Sequence, residues 1–260
     1  MKRALEHIDR KNETFAKHAM IEYLKDEAIP ASQRLVFAPY MAHFVFSFMD
    51  INRFVLRDLK ADDNEYQHLV NIHTDEDAHH WPWYLNDLQK LHLDKTGRFT
   101  ESLRFIWSDH GIQSRMLTYD MVGLVKNASP IGKVILVGVI ERTGNVFLAQ
   151  TAEVSRELGD NGDYLYYGKH HLDCETGHHM GTDQIESVLA SIVLSDDEFN
   201  EGIAIIDEAY SLYGRFLTEM LAYAQAHHHE DMAVSATYPG AISQHLSHAT
   251  DGSAVTGSDA

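Results

Sequence analysis

The most apolar part of the chain is residues 131–158, IGKVILVGVIERTGNVFLAQTAEVSREL. By propensity alone, its β-branched centre VILVGVI could form a buried strand. The residues on both sides continue a helical pattern of apolar side chains, so the stretch is predicted to form one buried helix. The preceding Ser129-Pro130 pair suits the start of a helix, because proline is tolerated in the first turn. The sequence GDNGD at residues 159–163 predicts the loop that ends it.

The rest of the chain up to residue 229 also carries helical patterns, and no segment alternates at the period of a strand. In the first half of the chain, the other predicted helices are residues 2–27, a helix from near Ser32 that contains Pro39, and a helix from Asp62 or Asp63 that bends at Pro82. In the second half they are a helix from Thr100, a helix over residues 164–194 with a break at Gly181, and a helix capped by Asp196 or Asp197. The predicted fold class is all-α, a single bundle of about seven helices. Residues 230–260 lack a periodic apolar face, so we expect a helical domain over residues 1–229 and a disordered C-terminal tail.

Composition narrows the class of protein. The 260 residues suit one large domain or two small ones. The net charge of −18 argues against nucleic acid or an anionic membrane as a partner. The single cysteine, Cys174, excludes an internal disulfide and fits a reducing compartment. The sequence shows neither a signal peptide nor an apolar run long enough to span a bilayer, so a cytoplasmic protein is expected.

Glu141 is the unusual residue of the apolar helix. A charged carboxylate inside a core costs several kcal/mol unless it is paired or bound to a metal. An ion pair with Arg142, or a helix face that reaches solvent, is the structural alternative. Gly138 and Gly144 flank Glu141, and small residues there would let a neighbouring helix or a substrate approach closely.

The spacing H-x-x-x-E-x-x-H of His171, Glu175 and His178 is the strongest single motif. Offsets of four and three place the three side chains on one stripe of a helix. Two neutral imidazoles and a carboxylate on one stripe are ready metal ligands. A polar, histidine-rich helix is the alternative, and His170 and His179 compete for the same roles.

Glu76 and His79 form a weaker motif, E-x-x-H, in the acidic sequence HTDEDAHH. A solvated charged helix face explains such a motif equally well. The apolar WPWYL that follows indicates a segment that is partly buried. His73 and His80 lie close enough to replace a ligand or to orient one from outside the first coordination sphere.

Together, these residues offer three carboxylates and three imidazoles from separate helices, a donor set that suits a pair of iron or manganese ions. The order E-x-x-H, then I-E-x-x-G in an apolar helix, then H-x-x-x-(D/E)-x-x-H resembles the heme-oxygenase-like diiron oxidases. The resemblance covers about three helices. It departs from the family at Glu175, where Asp is commoner.

This resemblance implies a heme-oxygenase-like bundle that holds two Fe ions, with Mn as the alternative, and uses O2 as co-substrate. The ligands it implies are Glu76, His79, Glu141, His171, Glu175 and His178. The implied activity is oxidation of a small molecule, and we expect an amino acid or amine in a biosynthetic pathway. Nothing in the residues separates that class from a fatty acid.

The candidate substrate-binding residues are His43, Arg53 and Phe147. An arginine suits a substrate carboxylate through its planar fork, and aromatic residues could line a pocket, although such residues are more often plain core. The expected partner is a small molecule, and the sequence leaves undecided whether the chain forms a homodimer. Two alternative functions also remain. One is a metal-free, thiaminase-like hydrolase with Cys174 as nucleophile, and the other is a metal-binding protein without catalysis.

Overall fold

The computed structural model describes residues 1–94, 97–177 and 189–229, and all regular secondary structure in these ranges is helical. The helices are α1 Lys2–Phe15, α2 Ala19–Lys25, α3 Ala31–Arg34, α4 Ala42–Ile51, α5 Glu65–Asp77, α6 Trp81–Lys90, α7 Phe99–Ile106, α8 Ile112–Asn127, α9 Pro130–Glu157, α10 Lys169–Gly177 and α11 Asp196–Ala226. Short 3-10 turns lie at Ala38–Met41, Leu59–Ala61 and Asp109–Gly111, and a π-helical turn lies at Asn52–Leu56. The all-α prediction is confirmed for this part of the chain.

Helix α9 is the central element, and the prediction of one buried helix there is confirmed. It packs against α1, α2, α3, α5, α10 and α11. Its side chains are buried on most sides, from Ile131 to Ser155. The Ser129 hydroxyl accepts the backbone N–H of Gly132 and caps the helix, with Pro130 in the first turn as expected. Helix α9 therefore carries Glu141 in the middle of a group of neighbouring helices that includes α5 and α10.

The predicted first helix is two helices in the structure. Helix α1 ends at Phe15, and α2 begins at Ala19 with His18 as its N-cap. The Nδ1 atom of His18 accepts the backbone N–H of Met20 at 3.1 Å. This side-chain cap lets a new helix start where the apolar pattern alone suggests continuity.

The segment around Pro82 also breaks rather than bends. Helix α5 ends at Asp77 and α6 begins at Trp81, with Pro82 in its first turn. A continuous helix would bring the Pro82 ring against the carbonyl of Ala78 and remove one hydrogen bond. Residues 78–80 therefore leave the helical register, and this interruption matters for the site.

The long C-terminal helix α11 packs against α9, α1 and α8. The N-cap of this helix is Ser195. Its side chain accepts the backbone N–H of Glu198, and the Glu198 carboxylate accepts the backbone N–H of Ser195. The cap therefore lies just before the predicted candidates, Asp196 and Asp197. The described ranges hold more and shorter helices than the seven expected. None of their helices is long and apolar enough to cross a membrane. The predicted tail, residues 230–260, lies outside the described residues.

Candidate metal centre

Two groups of histidine and carboxylate side chains in the bundle could each hold a metal ion. His73, Asp77 and Glu141 form what we call the inner cluster. His80, His171 and Glu175 form what we call the outer cluster. Within each cluster, one potential ligand atom from each residue lies within 4.8 Å of the others. The helices that supply them are α5, α9 and α10, together with the α5–α6 junction.

The inner cluster is almost completely shielded from solvent. The exposed fractions are 0% for His73 and 4% each for Asp77 and Glu141. The Nε2 atom of His73 lies 3.1 Å from Oδ2 of Asp77, one helical turn along α5. Its Nδ1 atom lies 2.9 Å from Oε1 of Glu141 on α9. Burial opposes a charge on His73, but the two carboxylates outweigh burial and hold its pKa well above the usual value.

The outer cluster brings two imidazoles to one carboxylate oxygen. Oε1 of Glu175 lies 3.0 Å from Nε2 of His171 and 3.3 Å from Nδ1 of His80. The same two ring nitrogens are 3.0 Å from each other. On its far side, Nδ1 of His171 donates to the carbonyl oxygen of Tyr166 at 2.9 Å. In the neutral ring this bond leaves Nε2 as an acceptor that faces the cluster, which is the form required of a metal ligand.

Asp87 holds the segment that carries the Tyr166 carbonyl. Its Oδ1 accepts the backbone N–H of Leu165 at 2.8 Å. Its Oδ2 accepts those of Tyr166 and Tyr167 at 2.9 and 2.7 Å. Burial raises the pKa of Asp87, and the backbone donors oppose that rise. Asp87 thus positions His171 from outside the cluster.

Aromatic rings enclose the outer histidines. The Trp83 ring stacks on His80 with centroids 4.4 Å apart. Trp83 also meets the edge of His171 at 5.4 Å, and Tyr166 lies 4.8 Å from His171. These contacts restrict rotation of both imidazoles, as a preorganised ligand set requires.

The donor geometry of the outer cluster suits one metal ion. Two donors about 2.1 Å from one ion and at right angles to each other lie about 3 Å apart. In the outer cluster, one atom from each residue gives mutual distances of 3.0, 3.3 and 3.0 Å. In the inner cluster, the contacts of 3.1 and 2.9 Å are made by opposite ring nitrogens of His73, so only one of them can join two ligands of the same ion. The outer cluster has two histidines and one carboxylate, the donor set of many non-haem iron sites. The inner cluster, with one histidine and two carboxylates, is also suited to iron or manganese.

A cavity of about 110 Å³ reaches both clusters. Four of the six donors line it: Asp77, His80, His171 and Glu175. Most of the remaining wall is apolar or aromatic and comes from Phe15, Met41, Phe44, Val45, Phe48, Met49, Trp81, Ile140, Phe147, Leu148, Phe216 and Leu217. Thr143, Gly144, Tyr166 and Tyr213 complete the wall, and the described residues of this wall include neither lysine nor arginine. The cavity is therefore a mainly dry space that ends at the donors.

Three of the predicted ligands belong to the clusters: Glu141 to the inner one, and His171 and Glu175 to the outer one. Glu76 and His79 belong to neither cluster, and His79 is exposed. Their sequence neighbours Asp77 and His80 stand in their place. The predicted sixth ligand, His178, lies outside the described residues, as does its competitor His179.

The shift by one residue follows from the face that α5 buries. Val70, His73 and Asp77 form a stripe with offsets of three and four, and all three are buried. Glu76 is off this stripe and only half-buried. The helix then stops at Asp77, so helical spacing no longer predicts the direction of residues 78–80. A signal was present in the sequence, because His73, Asp77 and His80 repeat the offsets of His171, Glu175 and His178.

The predicted substrate-binding residues fall in different places. Phe147 lines the cavity as expected. His43 does not line it, and its ring instead meets those of Trp107 and Tyr119 at 5.6 and 6.1 Å. Arg53 is exposed on the π-helical turn, beside Met49. The residues that the sequence analysis missed are the donor Asp77 and the supporting Asp87.

Comparison with known protein families and with curated proteins found no match to this chain.

Proposed function

We propose that this chain is a non-haem dinuclear metalloenzyme that uses dioxygen to oxidise a mainly apolar organic substrate. The observation that carries the proposal is the meeting of two three-donor clusters with the end of one apolar cavity. Such a cavity with a few convergent polar groups is a common form of active site. The I-E-x-x-G element at Glu141 and the spacing of His171 and Glu175, both similar to those of heme-oxygenase-like diiron oxidases, support the same chemistry.

The inner cluster would hold one iron or manganese ion and the outer cluster a second. Bound ions of this kind supply the redox chemistry with dioxygen. The protein holds the ligands in place: Asp87 fixes the backbone at Tyr166, whose carbonyl fixes the ring of His171. The apolar wall excludes water from the reacting end of the cavity, which strengthens electrostatic interactions there.

The lining favours a substrate that is largely hydrocarbon. An amino acid brings an ammonium and a carboxylate, and burying either charge without a partner is costly. In the part of the chain that the structure describes, no lysine or arginine side chain lines the cavity to meet a carboxylate. The substrate that fits best therefore has an apolar body, with any single polar group directed at the donors. This differs from the amino acid or amine expected from the sequence.

The cavity gives less support to the metal-free hydrolase. Such an enzyme needs its nucleophile beside the substrate. Cys174 lies on α10 between His171 and Glu175 in sequence, but it is not among the residues that line the cavity. A storage protein without catalysis would leave the apolar cavity beside the donors unexplained.

The number of metal ions bound per chain, measured in variants at neighbouring positions of the sequence, tests the proposal. The protein would be loaded with Fe²⁺ without oxygen, freed of excess iron, and analysed for iron per chain. We expect about two ions in the wild type, and about one in Asp77→Asn, Glu141→Ala and His80→Asn, because each variant removes a donor from one cluster. Glu76→Gln and His79→Asn are the controls, and both should keep two ions.

Oxygen consumption provides the second measurement. The loaded wild type should consume O2 faster with apolar acids or alcohols than with amino acids, whereas the one-ion variants should lose at least 100-fold in rate. The proposal is wrong if the wild type binds no iron, or if Glu76→Gln loses an ion while Asp77→Asn retains both.

A further inference from the structure

A second cavity of about 90 Å³ approaches Glu141 from a different side of α9. It lies where α1 packs against α9, and its walls come from Met1, Leu5, Ile8, Val134, Ile135, Gly138, Glu141, Arg142, Asn145 and Leu189. The first cavity is lined by a different set of α9 residues, including Ile140, Thr143, Gly144 and Phe147. Two separate spaces therefore flank the helix that supplies the inner-cluster carboxylate.

Each of the two cavities is lined by one glycine of α9. At 100° per residue, Gly138 and Gly144 lie about 60° to either side of Glu141 on the helix. Gly138 lines the second cavity and Gly144 lines the first. A Cβ atom at Gly138 would meet Arg142 and Ile8 only at 3.8 Å, and one at Gly144 would meet nothing within 4 Å. Both positions thus have room for a side chain, although neither carries one.

The second cavity has the more polar wall. Glu141 and Asn145 are four residues apart and so share one face of α9. The Oδ1 atom of Asn145 is buried and accepts no hydrogen bond in the described part of the chain. The space is large enough for several water molecules, and polar groups are available to bind them. The first cavity offers a mainly apolar surface instead, apart from the donors at its end.

Arg142 is the one cationic side chain among the described residues of the wall, which also includes Met1, whose terminal ammonium donates to the carbonyl of Ile192. The Nε atom of Arg142 lies 3.1 Å from Oδ1 of Asp9, whose side chain is 59% exposed. The pair balances the arginine charge and places this edge of the cavity beside the protein surface. Asn145 and Glu141 line the same cavity, so a cation inside it would lie near a neutralised arginine, an amide oxygen and a carboxylate.

We propose that the second cavity is the entrance through which a hydrated divalent cation reaches the inner cluster, with Asn145 as the first protein ligand on the way. The inference rests on the proposed metal centre. The physical reason is desolvation: a dication must exchange its waters for protein oxygen atoms step by step. It would instead lose them against hydrocarbon if it crossed the apolar cavity.

The kinetics of Co²⁺ uptake test this entrance. Metal-free full-length protein would be mixed with Co²⁺ in a stopped-flow instrument, and free Co²⁺ followed with a chromophoric chelator. The kinetic phase that disappears in Glu141→Gln is assigned to the inner cluster. Gly138→Leu fills the second cavity and should slow this phase at least tenfold without changing the final amount bound. Gly144→Leu, the matched control, fills the apolar cavity and should leave the rate within twofold.

A second variant keeps the test informative if the leucine at position 138 disturbs folding. Asn145→Leu removes the oxygen ligand and should slow the same phase at least threefold. The entrance is refuted if Gly138→Leu and Asn145→Leu load at the wild-type rate, or if Gly144→Leu slows uptake as much as they do. A wild type that takes up no Co²⁺ refutes the proposed metal centre itself, so the two failures are distinguishable.

Discussion

At the level of single residues, the outer cluster depends on a side chain that is not one of its members. Asp87 is fully buried and binds three consecutive backbone N–H groups with its two carboxylate oxygens. Charge-assisted hydrogen bonds of this type are stronger than neutral ones. They hold the turn before α10, from which the Tyr166 carbonyl orients His171.

We expect Asp87→Asn to weaken both the fold and the outer metal site. An asparagine oxygen replaces one carboxylate oxygen, but its NH2 group cannot accept the bonds of Tyr166 and Tyr167. The expected loss is about 3 kcal/mol in the free energy of unfolding and about tenfold in affinity for the second ion. Urea denaturation and metal titration would measure them.

Asp163→Asn is the control for this prediction. Asp163 lies on the same connection and pairs with Lys90 at the exposed surface. Exposed ion pairs contribute little to stability, so this variant should unfold and bind metal like the wild type. Equal effects of both substitutions would contradict the positioning role of Asp87.

At the level of helices, local capping decides where elements begin. His18 starts α2 through Nδ1, and its Nε2 atom lies 3.2 Å from the hydroxyl of Thr218 on α11. Burial, opposed by a backbone hydrogen bond at Gly214, lowers the pKa of His18 below its ordinary value of 6.5. The folded state thus favours the neutral ring, the form that can accept the cap bond.

The stability that His18 contributes should depend on pH in a defined direction. Because its folded pKa is lowered, the contribution is complete above about pH 6.5 and is lost as the pH falls through 6.5 toward the folded pKa. His18→Asn keeps an N-cap that does not titrate. We therefore expect its free energy of unfolding to fall less than that of the wild type between pH 7.5 and 5.5.

His18→Ala separates capping from titration in the same experiment. It should lose about 1 kcal/mol at pH 7.5, where His18→Asn loses less. Urea denaturation of the metal-free proteins at both pH values would measure this. An identical pH dependence in wild type and His18→Asn would show that the cap does not titrate as proposed.

At the level of the whole molecule, a buried cation connects three helices. Arg34 on α3 is 2% exposed. It donates to the carbonyl of Leu24 on α2 at 2.8 Å and forms an ion pair with Glu157 at the end of α9. The N-terminal helices are thereby attached to the helix that carries Glu141.

Loss of this connection should destabilise the whole bundle. Arg34→Ala leaves the Leu24 carbonyl and Glu157 without their partner, and we expect a loss of about 3 kcal/mol in the free energy of unfolding. Arg156→Ala is the matched control, because Arg156 pairs with Glu153 where both side chains are exposed. It should leave the free energy of unfolding close to that of the wild type. Similar losses in both variants, measured by urea denaturation, would contradict the role of Arg34.

Sequence patterns alone determined the helical class, the buried helix over Pro130–Glu157, and three members of the clusters: Glu141, His171 and Glu175. These are local properties. Apolar periodicity extends over many residues of one helix, and a carboxylate in such a helix needs a partner wherever the other helices lie.

Only the tertiary structure decided which residues of the acidic stretch join them. Glu76 and Asp77 are adjacent, as are His79 and His80, and a break in the helix separates the two pairs. Burial of the α5 face against α9 selects Asp77, and the course of the chain after the break brings His80 to His171. The repeated offsets of His73, Asp77 and His80 are a hint in the sequence, but contacts between helices that are distant in sequence fix these choices.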